Sequence, residues 1–206
     1  MIKICKGLCQ ALERKHQAPQ TIMLKHSIQR RFISTFYELF PKTFPKKLPI
    51  WTIDQSKLRK EYRQLQAQHH PDMAQKGSEQ SSTLNQAYHT LKDPLRRSQY
   101  MLKLLRNIDL TQEQTSHEVT TSDPQLLLEV LDVHDELSQM NDEAGVKQLA
   151  QENKQRIQDI ETRLEQCYRG KNYAAAVKLT VELKYWSNLA KAFKDWVPGQ
   201  PLELNH

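Results

Sequence analysis

Apolar positions recur along most of this chain at spacings of three and four, the period of an α-helix. Leu84, Ala87, Tyr88 and Leu91 fall at i, i+3, i+4 and i+7 and predict one apolar helix face. Leu126, Val130, Val133 and Leu137 do the same further on, as do Val146, Leu149, Ile157, Ile160 and Leu164. Ala176, Leu179, Leu183, Trp186, Ala190 and Phe193 alternate spacings of three and four, the signature of a bundle seam. No segment reads as a strand. Local signals set the boundaries. Asp54 is a candidate N-cap, with Ile53 and Leu58 placed for a hydrophobic staple. That helix runs to about Gln68, because Pro71 cannot continue it and pushes His70 out of the helical region. Asp93-Pro94 and Asp123-Pro124 each put an acid at N-cap and proline at N1, opening helices to about Arg106 and about Met140. Gly145 and Gly170 are expected to divide the remaining proline-free span into helices near 144–168 and 172–195, with Gly170 as a C-cap. Pro41, Pro45 and Pro49 predict an extended connector over 41–53. The expected class is all-α: an antiparallel helical hairpin, then a three-helix bundle, with a polar linker at 109–122 between them.

Composition removes several functions. Five glycines among 206 residues leave no material for a phosphate-binding loop, and neither GxGxxG nor GxxxxGK[ST] occurs. No run approaches the length of a membrane-spanning helix. The net charge of +6 is divided sharply. Residues 1–34 hold seven basic residues and one acid, residues 35–106 hold 13 and 6, and residues 107–206 hold 10 and 17. The first segment, rich in Lys and Arg and nearly free of acids, is similar to a mitochondrial transit peptide. Arg30-Arg31-Phe32-Ile33-Ser34 resembles a matrix-processing site, with cleavage near Ile33 or Ser34. Cys5 and Cys9 have C-x₃-C spacing and no second pair, which argues against zinc even with His16 nearby. Cys167 remains alone, as suits a reduced compartment. The basic middle segment raises RNA binding, but it lacks an aromatic stacking platform and the acidic half would repel phosphate.

The candidate chemistry lies at His70-Pro71-Asp72, between the first two helices. Pro71 fixes a turn that loses little freedom on binding. His70 and Asp72 offer a donor and a carboxylate beside Arg59 and Arg63, which share a helix face at i, i+4. Such a surface suits charge-assisted contacts with a partner, cations steering the encounter. Catalysis by the His70/Asp72 pair lacks a nucleophile and a third member, and a metal held by His69, His70 and Asp72 would lack helical ligand spacing. Helix, HPD loop and helix together resemble a J domain, the module that stimulates ATP hydrolysis by heat-shock protein 70 (DnaK-type) chaperones. Tyr62 stands eight residues before the histidine, where that family carries an aromatic. The resemblance therefore implies chaperone contacts at His70, Pro71, Asp72, Arg59, Tyr62 and Arg63, and no chemistry performed by the chain itself.

The helix from Pro124 carries more apolar surface than one core needs. Leu127 and Leu131 form a second pair, rotated about 100° from the main stripe, beside Asp132, Asp135, Glu136 and Gln139. Tyr185 lies off the last seam and is a candidate for exposure. An apolar pair ringed by acids is a plausible protein-binding patch, though burial against the core would account for the same spacing. FYELFP at 36–41, the HPD loop, LNQAYHTLKDPLRRSQYML at 84–102 and LLLEVLDVHDEL at 126–137 are similar to the HscB family of J-protein co-chaperones, which has mitochondrial members in yeast. The resemblance covers nearly all of residues 36–206. It implies a co-chaperone of iron–sulfur cluster biogenesis that binds an IscU-type scaffold through Leu127, Leu131 and Tyr185, with Asp132, Asp135, Glu136 and Gln139 in support. It further implies delivery of that scaffold to a chaperone in the mitochondrial matrix, assistance to scaffold complex assembly, and no cofactor, nucleic acid or membrane. Glu129 departs from close relatives that can carry lysine, so a salt bridge there would be lost or reversed. Animal relatives carry paired CxxC motifs that this chain lacks. The implied organisation is a transit peptide at 1–34, a J domain at 35–108, the linker, and a scaffold-binding domain at 123–206. A J protein serving general import or folding shares the HPD logic but predicts no tight scaffold complex.

Overall fold

The computed structural model describes residues 35–68, 77–115, Thr120 and 123–198. They contain one short 3₁₀ turn, Phe36–Leu39, six α-helices, and further helical residues at 113–115 and 120. The helices are α1 (Gln55–Gln68), α2 (Gly77–Lys92), α3 (Pro94–Arg106), α4 (Pro124–Gln139), α5 (Glu143–Arg169) and α6 (Tyr173–Asp195). No strand occurs among the described residues, so the class is all-α.

Short polar side chains begin these helices. Asp54 Oδ1 accepts from the amides of Ser56 and Lys57 at 3.0 Å. Asp93 accepts from Arg96 N at 2.9 Å and Asp123 from Leu126 N at 3.3 Å, each with proline next in the chain. Two boundaries have a different cause from the one the glycines suggested. Asp142 caps α5 by accepting from Gly145 N at 2.7 Å, so Gly145 lies inside the first turn and breaks nothing. Gly170 is the C-cap of α5 but keeps a right-handed φ of −82°; the left-handed residue is Lys171, at φ 56°. Asn172 then caps α6 through Ala175 N at 3.2 Å.

Residues 41–53 are not simply an extended connector. The chain turns twice, closed by Phe44 N to Phe40 O at 2.8 Å and Lys47 N to Phe44 O at 2.9 Å. The turns are driven by aromatics: Tyr37, Phe40, Phe44 and Trp51 all enter the core. Glu61 fastens the segment to α1. It is 4% exposed on the inner side of the helix, and its carboxylate accepts from Lys42 N (2.8 Å), Thr43 N (2.7 Å) and Thr43 Oγ1 (2.7 Å). A charged group is tolerated there because three donors replace its water.

α1, α2 and α3 pack in sequence, and α4, α5 and α6 form the bundle, with the longest contact between α5 and α6. Of the positions the spacing predicts, Leu126, Val133, Leu137, Val146, Leu149, Ile160, Leu164, Ala176, Leu179, Leu183, Trp186 and Phe193 are buried, while Val130, Ile157 and Ala190 are half-buried. Asn153 fills the gap in the α5 stripe between Leu149 and Ile157: it is 1% exposed and donates Nδ2 to Trp186 O at 3.1 Å. α6 is buried more widely than a bundle seam requires, with Thr180, Val181 and Leu189 also enclosed. α3 packs against α6 and accounts for Thr180, whose hydroxyl lies 2.6 Å from Ser98 Oγ.

That junction is partly polar. Ser98 Oγ lies 2.6 Å from Thr180 Oγ1 and 2.7 Å from Tyr168 Oη. Thr180 Oγ1 also donates to Ala176 O (2.6 Å) and Tyr168 Oη to Ser98 O (3.1 Å). Three hydroxyl protons therefore serve four contacts, which the proton inventory allows only by sharing. Beside them the Trp51 ring stacks on Tyr168, centroids 5.4 Å apart, and Trp51 Nε1 donates to Glu161 O at 3.2 Å. The Arg97 guanidinium lies 4.5 Å over Trp51 and donates to Leu91 O at 2.9 Å. Burial pulls Arg97 below its ordinary range and pushes Glu161 up; the two offset each other in part.

Two expectations follow. Glu61→Ala leaves buried amides without an acceptor and should lower the unfolding free energy by roughly 3 kcal/mol, read by chemical denaturation, with faster hydrogen exchange at Lys42 and Thr43. Burial holds the Tyr168 phenol up to about 12, partly opposed by its Ser98 and Thr180 hydrogen bonds. The fold favours the neutral phenol, so this contribution is complete below the ordinary tyrosine value of about 10 and is lost as pH rises from there towards 12. An alkaline ultraviolet titration should show Tyr168 ionising late, and Tyr168→Phe should flatten that arm of the stability profile.

Candidate functional site

Two surfaces carry the residues that the sequence singles out. The first is α1. Leu58, Glu61 and Leu65 face inward, and Arg59, Lys60 and Arg63 stand exposed on the other side. Arg59 and Arg63 make no ion pair among the described residues, and Lys57 has only the weak, exposed pair with Asp54 at 3.8 Å.

Tyr62 sits between that face and α2. Its ring stacks on Tyr88, with centroids 3.9 Å apart and planes 6° from parallel. Its hydroxyl donates to Asn85 Oδ1 at 2.9 Å, while Gln66 Nε2 donates to both Tyr62 Oη (2.6 Å) and Asn85 Oδ1 (2.9 Å). Tyr62 is half-buried and ties the last turns of α1 to α2 just before the HPD segment. His70, Pro71 and Asp72, with His69, lie outside the described residues, as does the basic leader.

The second surface is α4. Leu126, Val133 and Leu137 point into the bundle and Val130 packs against it. Leu127 is half-buried, and Leu131 is 51% exposed. Asp132, Asp135, Glu136 and Gln139 are all exposed on the same helix. The sequence reading missed Leu128, which is 56% exposed and enlarges the apolar patch. A signal was present: three successive leucines span about 200° of a helix, and one narrow stripe cannot hold them all.

Tyr185 is half-buried and packs against the core, contrary to the exposure its off-seam position suggested. Its hydroxyl donates to Thr120 Oγ1 at 3.3 Å, which sets it beside the chain entering α4. Glu182, one turn earlier, is pushed up by burial; Arg163, 3.6 Å away, opposes this, while Asp123 and Glu129 reinforce it. Glu129 is exposed and accepts from Gln125 at 3.2 Å. This end of α4 is therefore more acidic than a lysine at position 129 would make it.

Among the described residues no cluster of His, Cys, Asp and Glu could hold a metal, and no helix is long and apolar enough to cross a membrane. The described surfaces present contacts to a partner, with no assembled set of reacting groups.

Known proteins share this arrangement. The family model of the DnaJ domain matches residues 51–100, and that of the HSCB C-terminal oligomerisation domain matches residues 122–194. The chain is 86% identical over 184 residues to the J-type co-chaperone JAC1, mitochondrial, of Saccharomyces cerevisiae, covering 89% of this chain and all of that protein. It is 30% identical over 150 residues to the iron-sulfur cluster co-chaperone protein HscB of Homo sapiens, covering 69% of this chain and 62% of that one. A solved structure of the Saccharomyces cerevisiae Jac1 co-chaperone superposes with a TM-score of 0.77 at 87% identity, covering 84% of this chain and 100% of that one. An HPD-bearing hairpin joined to an acidic helical bundle defines a J-type co-chaperone, a protein that assists another chaperone and is not itself an enzyme. Within that class, the chain belongs to the HscB family.

Proposed function

We propose that the protein binds an IscU-type iron–sulfur scaffold on α4, presents it to a heat-shock protein 70 chaperone of the mitochondrial matrix, and stimulates that chaperone's ATPase through the HPD segment and α1. Cluster transfer from the scaffold then follows, and the same adaptor assists assembly of scaffold complexes. The observation that carries this reading is the pairing of two unlike surfaces on one chain. A cationic helix face made by Arg59 and Arg63, which have no ion pair among the described residues, leads into the HPD segment. An exposed leucine patch ringed by carboxylates lies on α4. The mitochondrial name of the yeast relative and the iron–sulfur name of the human relative support the compartment and the pathway.

The physical logic is that of a divalent adaptor. Each surface alone binds one protein; joining them makes the second encounter intramolecular and raises the client's effective concentration at the chaperone. On this reading residues 1–34 are a leader, 35–108 the chaperone-facing domain, 109–122 the linker and 123–206 the scaffold-facing domain. Leu127, Leu128 and Leu131 supply the apolar centre of the scaffold contact, and Asp132, Asp135, Glu136 and Gln139 its polar rim. Tyr185, tied through its hydroxyl to Thr120 beside the start of α4, joins that contact, and Tyr62 acts by holding α1 on α2.

His70→Gln should leave the circular dichroism spectrum helical and remove stimulation of the purified chaperone's ATPase; full stimulation by the variant refutes the chaperone assignment. The triple change Leu127→Ala, Leu131→Ala and Tyr185→Ala should abolish scaffold capture in a pull-down while chaperone stimulation without scaffold persists. Scaffold capture undiminished by the triple change would place the contact elsewhere.

A further inference from the structure

Six large apolar side chains stay well exposed among the described residues. Leu128 and Leu131 belong to the α4 face and Val197 follows α6. The other three gather at one place. Ile50 and Leu105, 44% and 38% exposed, line a groove of about 480 Å³ between the turn before Trp51, α3, and the corner joining α5 to α6. Leu48, 58% exposed, directly precedes Pro49, which lines the groove. Trp51, Tyr168 and Tyr173 complete its wall. Apolar surface gathered in this way costs solvation unless something covers it.

The rim carries the opposite charge to the α4 face. Arg169 and Lys171 line the groove, and the Arg106 guanidinium lies 5.4 Å over the Tyr173 ring. Glu165, the carboxylate in the lining, is taken by Arg169 at 2.7 Å. Lys47 is exposed and stands two residues before Pro49 in the chain.

Backbone conformation marks these two lysines independently. Three non-glycine residues among those described have positive φ: Lys47 (52°), Asn107 (57°) and Lys171 (56°). Asn107 is a residue type that tolerates this region, and it caps α3. The lysines have no such licence. Gly170 directly precedes Lys171 and stays right-handed, so the strained position falls on the cation next to an available glycine. Strain held in this way is more often found at binding sites than elsewhere.

We infer that this groove docks a peptide segment of a partner protein, one carrying large apolar side chains next to carboxylates. The exposed lips describe an open channel, which suits a chain running along it better than an enclosed small ligand, whose surface would be mostly buried. The cationic rim selects acid-bearing segments and disfavours the protein's own basic leader. The site is separate from α4 and from the α1 face, so it does not depend on the chaperone reading.

The test is selection of a random peptide library displayed on phage against the full chain, followed by fluorescence anisotropy with the selected peptides. Enriched peptides should combine leucine or phenylalanine with aspartate or glutamate. Lys47→Gly with Lys171→Gly removes both cations while relieving both strained positions. This variant should melt no lower than the parent yet bind the peptides roughly tenfold more weakly, and Leu105→Asp should lose them. Chaperone stimulation and scaffold capture should be unchanged in both variants. No enrichment, enrichment of basic or uncharged peptides, or equal binding by the glycine variant overturns the proposal. So does concentration-dependent self-association in sedimentation that the same variant removes, since the occupant is then a second copy.

Discussion

The seam between α3 and α6 is the interaction on which the two working surfaces depend. Without it, the helical hairpin and the bundle would be joined only through residues 107–122. With it, Ser98, Tyr168 and Thr180 share hydroxyl contacts of 2.6–2.7 Å, and Trp51 is held between Arg97 and Tyr168. These groups are costly to bury singly, because an unpaired polar atom in a core loses its water for nothing. Satisfied together they specify one docking register, since a slide of either helix would strand several at once. One atom stays outside this economy: Arg97 Nε is buried without a partner, although the charge it belongs to faces the π-cloud of Trp51 and the Leu91 carbonyl.

Much of the fold was legible because apolar period and capping chemistry agree. Asp54, Asp93-Pro94 and Asp123-Pro124 mark helix starts through a local rule, a short acceptor meeting free amides, that needs no tertiary knowledge. The failures share one cause. Tyr37, Phe40, Phe44 and Trp51 fold the connector because of what α1, α2 and the bundle present to them, and the prolines between them gave the opposite impression. Thr180 is buried because α3 covers it, and nothing in the spacing of α6 announces a second neighbour. Glu61 and Asn153 are polar residues at inward positions. Each is legible only as an interruption until its partners, the Lys42 and Thr43 amides and the Trp186 carbonyl, are in place.

The candidate site was legible unevenly. Arg59 and Arg63 stand on the exposed face that the i, i+4 spacing gave them. Leu131 is exposed as the rotation from the main α4 stripe required, but its neighbour Leu127 is half-buried and Leu128 was overlooked. Tyr185 shows the limit of the method. Its angle on α6 removes it from the bundle seam without saying that Thr120 would approach from outside the bundle. The HPD residues rest on sequence and family membership, since their positions lie outside the described residues.

Charge explains why these surfaces can coexist on a chain this small. The cationic α1 face and the acidic α4 face would attract one another if the hairpin were free to fold back, and an internal ion pair would hide both from their partners. Such a contact forms without the loss of translational freedom that an external partner must meet, so even a weak internal pair would compete well. Docking α3 on α6 closes that route by geometry, because it fixes the hairpin by a face other than the outer side of α1. The uneven charge of the sequence, +7 over residues 35–106 and −7 over 107–206, suits the two partners of the proposed adaptor. It remains compatible with a stable molecule because the contact between the halves is made by hydroxyls, aromatics, Arg97 and Arg106, with the Glu161 carboxylate as the opposed charge to Arg97.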